Sequence, residues 1–191
     1  MKKMSTLFVV THNGKGSPST ITEEVRPENE WVFTESNKVK ATRKFDGTAC
    51  AIIDGELFKR YDAKHGKSAP EGAIPCGEAD LITGHHPHWL KVDLDAKENR
   101  YFREAWVNLP VEHRIDGTYE MCGEKVGINA EKIHQHELIR HGSETMSILN
   151  LSFEGIKLAI QMNDIEGIVF HHDDGRMCKI RKSDFGFKRG E

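Results

Sequence analysis

The sequence is 191 residues long and 37% hydrophobic, enough to bury a core and within the size of one domain. Its 27 basic and 30 acidic residues give a formal net charge of −3, which excludes a generally basic surface, so any phosphate-binding surface must be local. The cysteines Cys50, Cys76, Cys122 and Cys178 form no CxxC pair, which argues against a zinc ribbon or dithiol redox site and for a reduced, intracellular protein.

The apolar run at residues 7–10 is too short for a signal sequence or a membrane span, so a soluble, cytoplasmic protein is expected. Residues 1–30 read as an irregular lead-in, because residues 11–27 are rich in Gly, Ser, Thr and Pro. From Val39 the pattern turns β-like. A short strand runs to Lys44, and Thr48–Ile53 and residues 56–61 then flank Asp54-Gly55, a strong hairpin signal that puts Lys44 in the turn opening this hairpin. Residues 71–93, with prolines at 70, 75 and 87 in or beside them, show no clean period and are expected to form an ordered surface loop.

Residues 99–109 predict a short helix ended by Pro110, and residues 118–122 a strand interrupted soon after by Gly123, Gly127 and Asn129. Ser152 is placed to cap an amphipathic helix carrying Phe153, Ile156, Leu158, Ala159 and Ile160, with Asn163-Asp164 as its stop. Residues 165–170 and 177–181 predict two strands joined by the turn at 171–175. Strands dominate, so the expected class is α+β, with antiparallel sheets flanked by helices.

Lys44, in the tetrapeptide Lys44-Phe45-Asp46-Gly47, would by itself be an exposed lysine beside a turn. Four polar clusters follow it on or beside predicted strands: Lys59-Arg60 with Lys64 and Lys67, Glu120 with Glu124, Glu166-Gly167, and Lys179 with Arg181 and Lys182. In order, KFDG, YEMCGE, EGIVF and CKIRK resemble motifs I, III, IV and V of the covalent nucleotidyltransferases, the ATP-dependent DNA and RNA ligases and the capping guanylyltransferases. PCGEADLITGHHPHW, DGTYEMCGEKVG and EGIVFHHDDGRMCKIRKSDFG are similar to signatures of a small family of single-domain ATP-dependent 5′-3′ RNA ligases, so the resemblance covers most of the chain from about Val39 onward.

The resemblance implies one nucleotidyltransferase (adenylation) domain over residues 1–191 and a three-step reaction. Lys44 would take AMP from ATP, AMP would pass to an RNA 5′-phosphate, and an RNA 3′-hydroxyl would displace it to seal the strand. Magnesium or manganese is expected, with Glu166 as its ligand, since magnesium takes one or two carboxylates plus substrate phosphates. Glu120 is expected to accept hydrogen bonds from the ribose, and Arg60 to contact ATP phosphates or the RNA 5′-phosphate. A lysine amine that attacks phosphorus must be neutral, which burial and neighbouring cations promote. Lys179 and Arg181 would supply positive charge to the transferring phosphoryl group from one face of a strand. Asp46 and Gly47 would shape the turn after the nucleophile.

Two positions depart from the wider pattern. Motif V often carries two lysines spaced KxK, whereas here the second is Arg181, followed by Lys182, and either could be the second cation. Glu124, after Gly123, is the alternative to Glu120, which the spacing to the strand start favours. A GTP-using capping enzyme or a DNA ligase is expected to carry an appended OB domain, for which the nine residues after Lys182 leave no room. A monomeric RNA ligase acting on RNA is therefore the expectation, and a catalytically silent RNA-binding module of the same fold is the rival from another class.

Plainer readings are expected elsewhere. Cys76, His85, His86 and His88 match no standard zinc spacing, so a polar or RNA-contacting surface loop is preferred there. The run Lys59, Arg60, Lys64 and Lys67 is a solvated basic face or, in a phosphate-handling enzyme, a path for the RNA backbone. His171-His172 is expected at the surface, and HQHELIRH, lacking the HExxH order, is expected to be structural.

Overall fold

The structure, a computed structural model, describes residues 4–11, 20–80 and 83–189. In chain order its elements begin with β1 (Ser5–Thr6), β2 (Phe8–Thr11), β3 (Thr20–Val25), α1 (Trp31–Thr34) and β4 (Val39–Lys44). There follow β5 (Thr48–Ile53), β6 (Glu56–Ala63), β7 (Ile74–Pro75), β8 (His86–Lys91) and α2 (Arg100–Asn108). The last are β9 (Gly117–Cys122), β10 (Glu137–Arg140), α3 (Phe153–Met162), β11 (Gly167–His172) and β12 (Met177–Arg181). The class is α+β as expected: the strands pair antiparallel except for β1, which runs parallel to β12. Among the described residues no helix is long and apolar enough to cross a membrane.

The chain divides into two compact units, residues 46–141 and residues 4–45 with 142–189. The first is built on a six-stranded sheet in the order β10-β9-β5-β6-β8-β7. Its central hairpin turns at Asp54 and Gly55, with φ of 51° and 74°, the left-handed pair that a two-residue turn matching the twist of the strands requires. The amides of Asp54 and Gly55 donate to the Asp116 carboxylate at 2.9 and 3.1 Å, so the turn is tied to the start of β9. One sheet face buries Cys50, Ile52, Leu57, Tyr119, Met121 and Leu138, against which Phe102, Trp106 and Leu109 of the α2 region pack.

The second unit carries a four-stranded sheet, β1-β12-β11-β4. One face buries Ile168, Phe170, Cys178 and Ile180 with Trp31 and Val32 of α1, Ile156 and Ile160 of α3, and Leu7 and Phe8. Each such side chain taken fully from water stabilises the fold by about 1.5–3 kcal/mol. The Ser152 hydroxyl accepts from the Gly155 amide at 3.1 Å and caps α3, as its position before the apolar stripe predicts.

Several segments differ from expectation. The lead-in contains ordered strands: β2 pairs β3, and Leu7 and Phe8 are among the most buried residues of the chain. Their apolar side chains override the turn-rich composition, while residues 12–19 lie outside the described residues. The expected surface loop at 71–93 contains β7 and β8, and β8 pairs along its whole length with β6. Pro87 lacks a donor but still accepts from the Cys76 amide at 3.0 Å, so proline did not prevent a strand here. His88 is buried in that strand. His172, expected at the surface, is also buried, with its ring between the Glu35 and Asp174 carboxylates at 3.2 and 2.9 Å and edge-on to Trp31.

Candidate active site

In an antiparallel sheet, residues directly opposite one another project to the same side, and alternate residues along a strand share a face. Gly167 lies opposite both Lys44 and Arg181, and Val169 lies opposite both Thr42 and Lys179. Thr42, Lys44, Lys179 and Arg181 therefore share the sheet face opposite the one that buries Ile168, Phe170, Cys178 and Ile180.

Lys44 closes β4 rather than sitting in a turn. Its Nζ donates to the Glu166 carboxylate and to the Phe45 carbonyl, the latter at 3.2 Å. Both side chains of the Lys44–Glu166 pair are only 20% exposed, so the interaction is largely shielded from water. Glu166 immediately precedes β11, and its backbone carbonyl accepts from the Lys182 amide at 2.7 Å, fixing the start of that strand.

Lys179, on β12, has an ammonium held below the ordinary lysine range, first by burial and then by the positive charges of Lys44 and Arg181, with Glu166 and Asp184 opposing. Arg181 is held by Asp184, whose carboxylate accepts from the guanidinium at 2.8 and 3.1 Å and from the Arg181 amide at 2.8 Å. Lys182 is buried, and its Nζ donates to the Asn163 carbonyl just past the end of α3 at 2.9 Å. Of the two expected second cations, Arg181 lies on the Lys44 face, whereas Lys182 is turned to the helix end.

Gly167, beside Glu166, is required by the packing of the sheet. A Cβ there would come within 2.1 Å of the Ile180 carbonyl oxygen, so the close passage of β12 demands glycine. Glu166 is the carboxylate bonded to Lys44 on this face, and among the described residues no group of three or more acidic, histidine or cysteine side chains could form a metal cage. A single carboxylate fits magnesium or manganese that brings phosphates and waters as its other ligands.

The remaining predicted residues belong to the first unit. Glu120 lies on β9, is 13% exposed, and its Oε2 is 2.9 Å from Nε2 of His141. The other ring nitrogen of His141 is 2.9 Å from the Thr118 hydroxyl. Gly47 matters here through contact: a Cβ would sit 2.3 Å from the Met121 carbonyl oxygen and 2.9 Å from Cγ of Glu120. Glu124 is 60% exposed and pairs only loosely with Lys125 at 3.7 Å. Arg60, on β6, pairs with Asp62 at 2.9 Å, while Lys59 donates to the Asn99 side chain at 2.7 Å, so the basic run divides between different partners. His141 ends the HQHELIRH segment, which from the sequence is expected to be structural, and Thr118 is given no role there. The available signal was the alternation of Thr118 and Glu120 on one strand face.

No protein-family model matches the chain. The chain is similar to RNA ligase 1 of Pongo abelii, with 28% identity over 165 residues, covering 63% of this chain and 49% of that protein. The chain thus spans about half the length of that relative.

Proposed function

We propose that the chain is a single nucleotidyltransferase domain acting as an ATP-dependent RNA ligase, which joins RNA 5′-phosphate and 3′-hydroxyl ends through a lysyl-AMP intermediate on Lys44. The observation that carries this reading is the shared sheet face of Lys44, Lys179 and Arg181, with Glu166 bonded to Lys44 Nζ. The likeness to an RNA ligase supports the same class.

An ammonium has no lone pair with which to attack. Nζ of Lys44 releases its proton to water, and its pair with Glu166 opens as ATP binds. The Nζ–phosphorus bond forms at the α-phosphate while the bond to the bridging oxygen breaks, and pyrophosphate leaves with the electron pair. Lys179 and Arg181 offset the charge that develops on the phosphoryl oxygens. Glu166 is the residue that would hold magnesium or manganese, which supplies positive charge to the phosphates. Glu120 accepts from the ribose hydroxyls, and Arg60 receives a phosphate of ATP or of the RNA 5′ end. An oxygen of that RNA 5′-phosphate then attacks the phosphorus of lysyl-AMP, and the nitrogen takes a proton from water as the nitrogen–phosphorus bond breaks, which releases Lys44 as the amine. The RNA 3′-hydroxyl finally loses its proton, attacks the activated 5′-phosphate and expels AMP.

Incubation with α-labelled ATP or GTP, with and without magnesium, tests this reading. Label from ATP retained on the denatured protein and lost in Lys44→Ala is the expected result. Label from GTP alone would make the chain a capping-type enzyme, sealing of nicked DNA but not RNA would make it a DNA ligase, and no label would leave an RNA-binding module.

A further inference from the structure

We infer that His141 is a positioning residue that fixes the carboxylate of Glu120 and, through it, selects ribose over deoxyribose in the bound nucleotide. The inference rests on the reading of Glu120 as the ribose-binding acid.

Thr118 and Glu120 are alternate residues of β9 and project to one side of the sheet. β10 runs antiparallel to β9, with Arg140 opposite Tyr119, and the His141 amide donates to the Thr118 carbonyl at 3.0 Å. This backbone bond places the imidazole between the two side chains, with 2.9 Å from Nδ1 to the Thr118 hydroxyl and 2.9 Å from Nε2 to Oε2 of Glu120.

A carboxylate only accepts, so Nε2 must carry the hydrogen. In the neutral ring Nδ1 is then the acceptor, and the Thr118 hydroxyl donates to it. The chain of bonds runs one way, from hydroxyl to imidazole to carboxylate, and each member sets the orientation of the next. On another side Gly47 comes so close that a Cβ there would press on Cγ of Glu120 at 2.9 Å. Glu120 is thus held by a hydrogen bond and by a backbone wall, and 13% exposure leaves water little share in its solvation. With His141 on Oε2, Oε1 is the oxygen left for a ribose hydroxyl. A carboxylate fixed in this way loses more by an absent hydroxyl than one free to turn toward water.

The test measures single-turnover lysine adenylylation with ATP and with 2′-deoxy-ATP in the full chain. In His141→Ala the half-saturating ATP concentration should rise about tenfold, and the preference for ATP over 2′-deoxy-ATP should shrink by a similar factor. The rate at saturating ATP should change much less. His141→Gln, whose carboxamide donates near the position of Nε2, should recover most of the preference. Thr118→Val, which keeps the shape but frees the ring, should shift it in the same direction as alanine by about threefold. If His141→Ala is too unstable to assay, Thr118→Val and His141→Gln decide. A labelled wild type with an unchanged nucleotide preference in the alanine and valine variants would overturn this inference alone, as would a folded His141→Gln with no rescue relative to alanine. A wild type that takes no label would overturn the ligase reading and the inference with it.

Discussion

Lys44 and Glu166 form an ion pair at the point where β4 ends and β11 begins, although 122 positions separate them in sequence. The pairing of β4 with β11, Gly167 opposite Lys44, brings the two together, so the contact is a product of the antiparallel register. Glu166→Gln retains an oxygen that can accept from Nζ but removes the charge. Labelling by ATP and magnesium should fall by about a hundredfold or more. The folded state should persist, as judged by an unchanged circular dichroism spectrum. A variant that adenylates normally would remove Glu166 from the metal-binding role.

Lys179 is expected to cost stability while serving the reaction. Burial and the charges of Lys44 and Arg181 disfavour its ammonium in the folded state, so the folded chain binds fewer protons there than the unfolded chain as pH approaches the ordinary lysine value of 10.5. The penalty is full below the lowered folded-state value and is relieved as pH rises through it. Lys179→Met should therefore unfold at higher denaturant concentration near pH 7, gaining about 1 kcal/mol, and this advantage should shrink toward pH 10. The same variant should lose the ATP adduct. Urea titrations at the two pH values give the sign directly.

Arg181 and Lys182 should separate activity from stability. Lys182→Met leaves the Asn163 carbonyl without its ammonium donor and should lower stability by about 1–3 kcal/mol, while the adenylylation rate of the folded fraction stays within about threefold of wild type. Arg181→Ala should lower that rate by about tenfold or more with a smaller stability change, because the guanidinium is partly exposed. Rates normalised to active protein, set beside denaturation midpoints, distinguish the two.

Local pattern made much of this arrangement legible. Asp54-Gly55 fixed a hairpin, Ser152 a helix start, and the alternation from Met177 to Arg181 a strand with Lys179 and Arg181 on one side. What remained hidden depends on partners distant in sequence. His172 reads as a turn residue until Glu35 and Trp31, far from it in sequence, meet its ring. The fixing of Glu120 by His141 likewise follows from β9–β10 register. β8 is not legible as a strand because Pro87 interrupts the pattern of a segment with no clean period, although in this sheet Pro87 needs only its carbonyl.

Gly167 offers a test between a ligand's need and a strand's. Its place beside Glu166 suggests a residue kept small for a nucleotide, yet a Cβ would meet the Ile180 carbonyl oxygen at 2.1 Å and Cα of Arg181 at 2.8 Å. These are backbone atoms of β12, which cannot rotate aside as a side chain would, so Gly167→Ala must push β11 and β12 apart or twist them locally. Overpacking of this kind costs about 1–3 kcal/mol. The loss should appear as a lower urea midpoint in the absence of any nucleotide. Saturating ATP should not restore wild-type stability, because the strain lies in the sheet itself. If Gly167→Ala unfolds at the wild-type midpoint and is impaired only in ATP binding, the strand-packing account fails and the glycine belongs to the nucleotide.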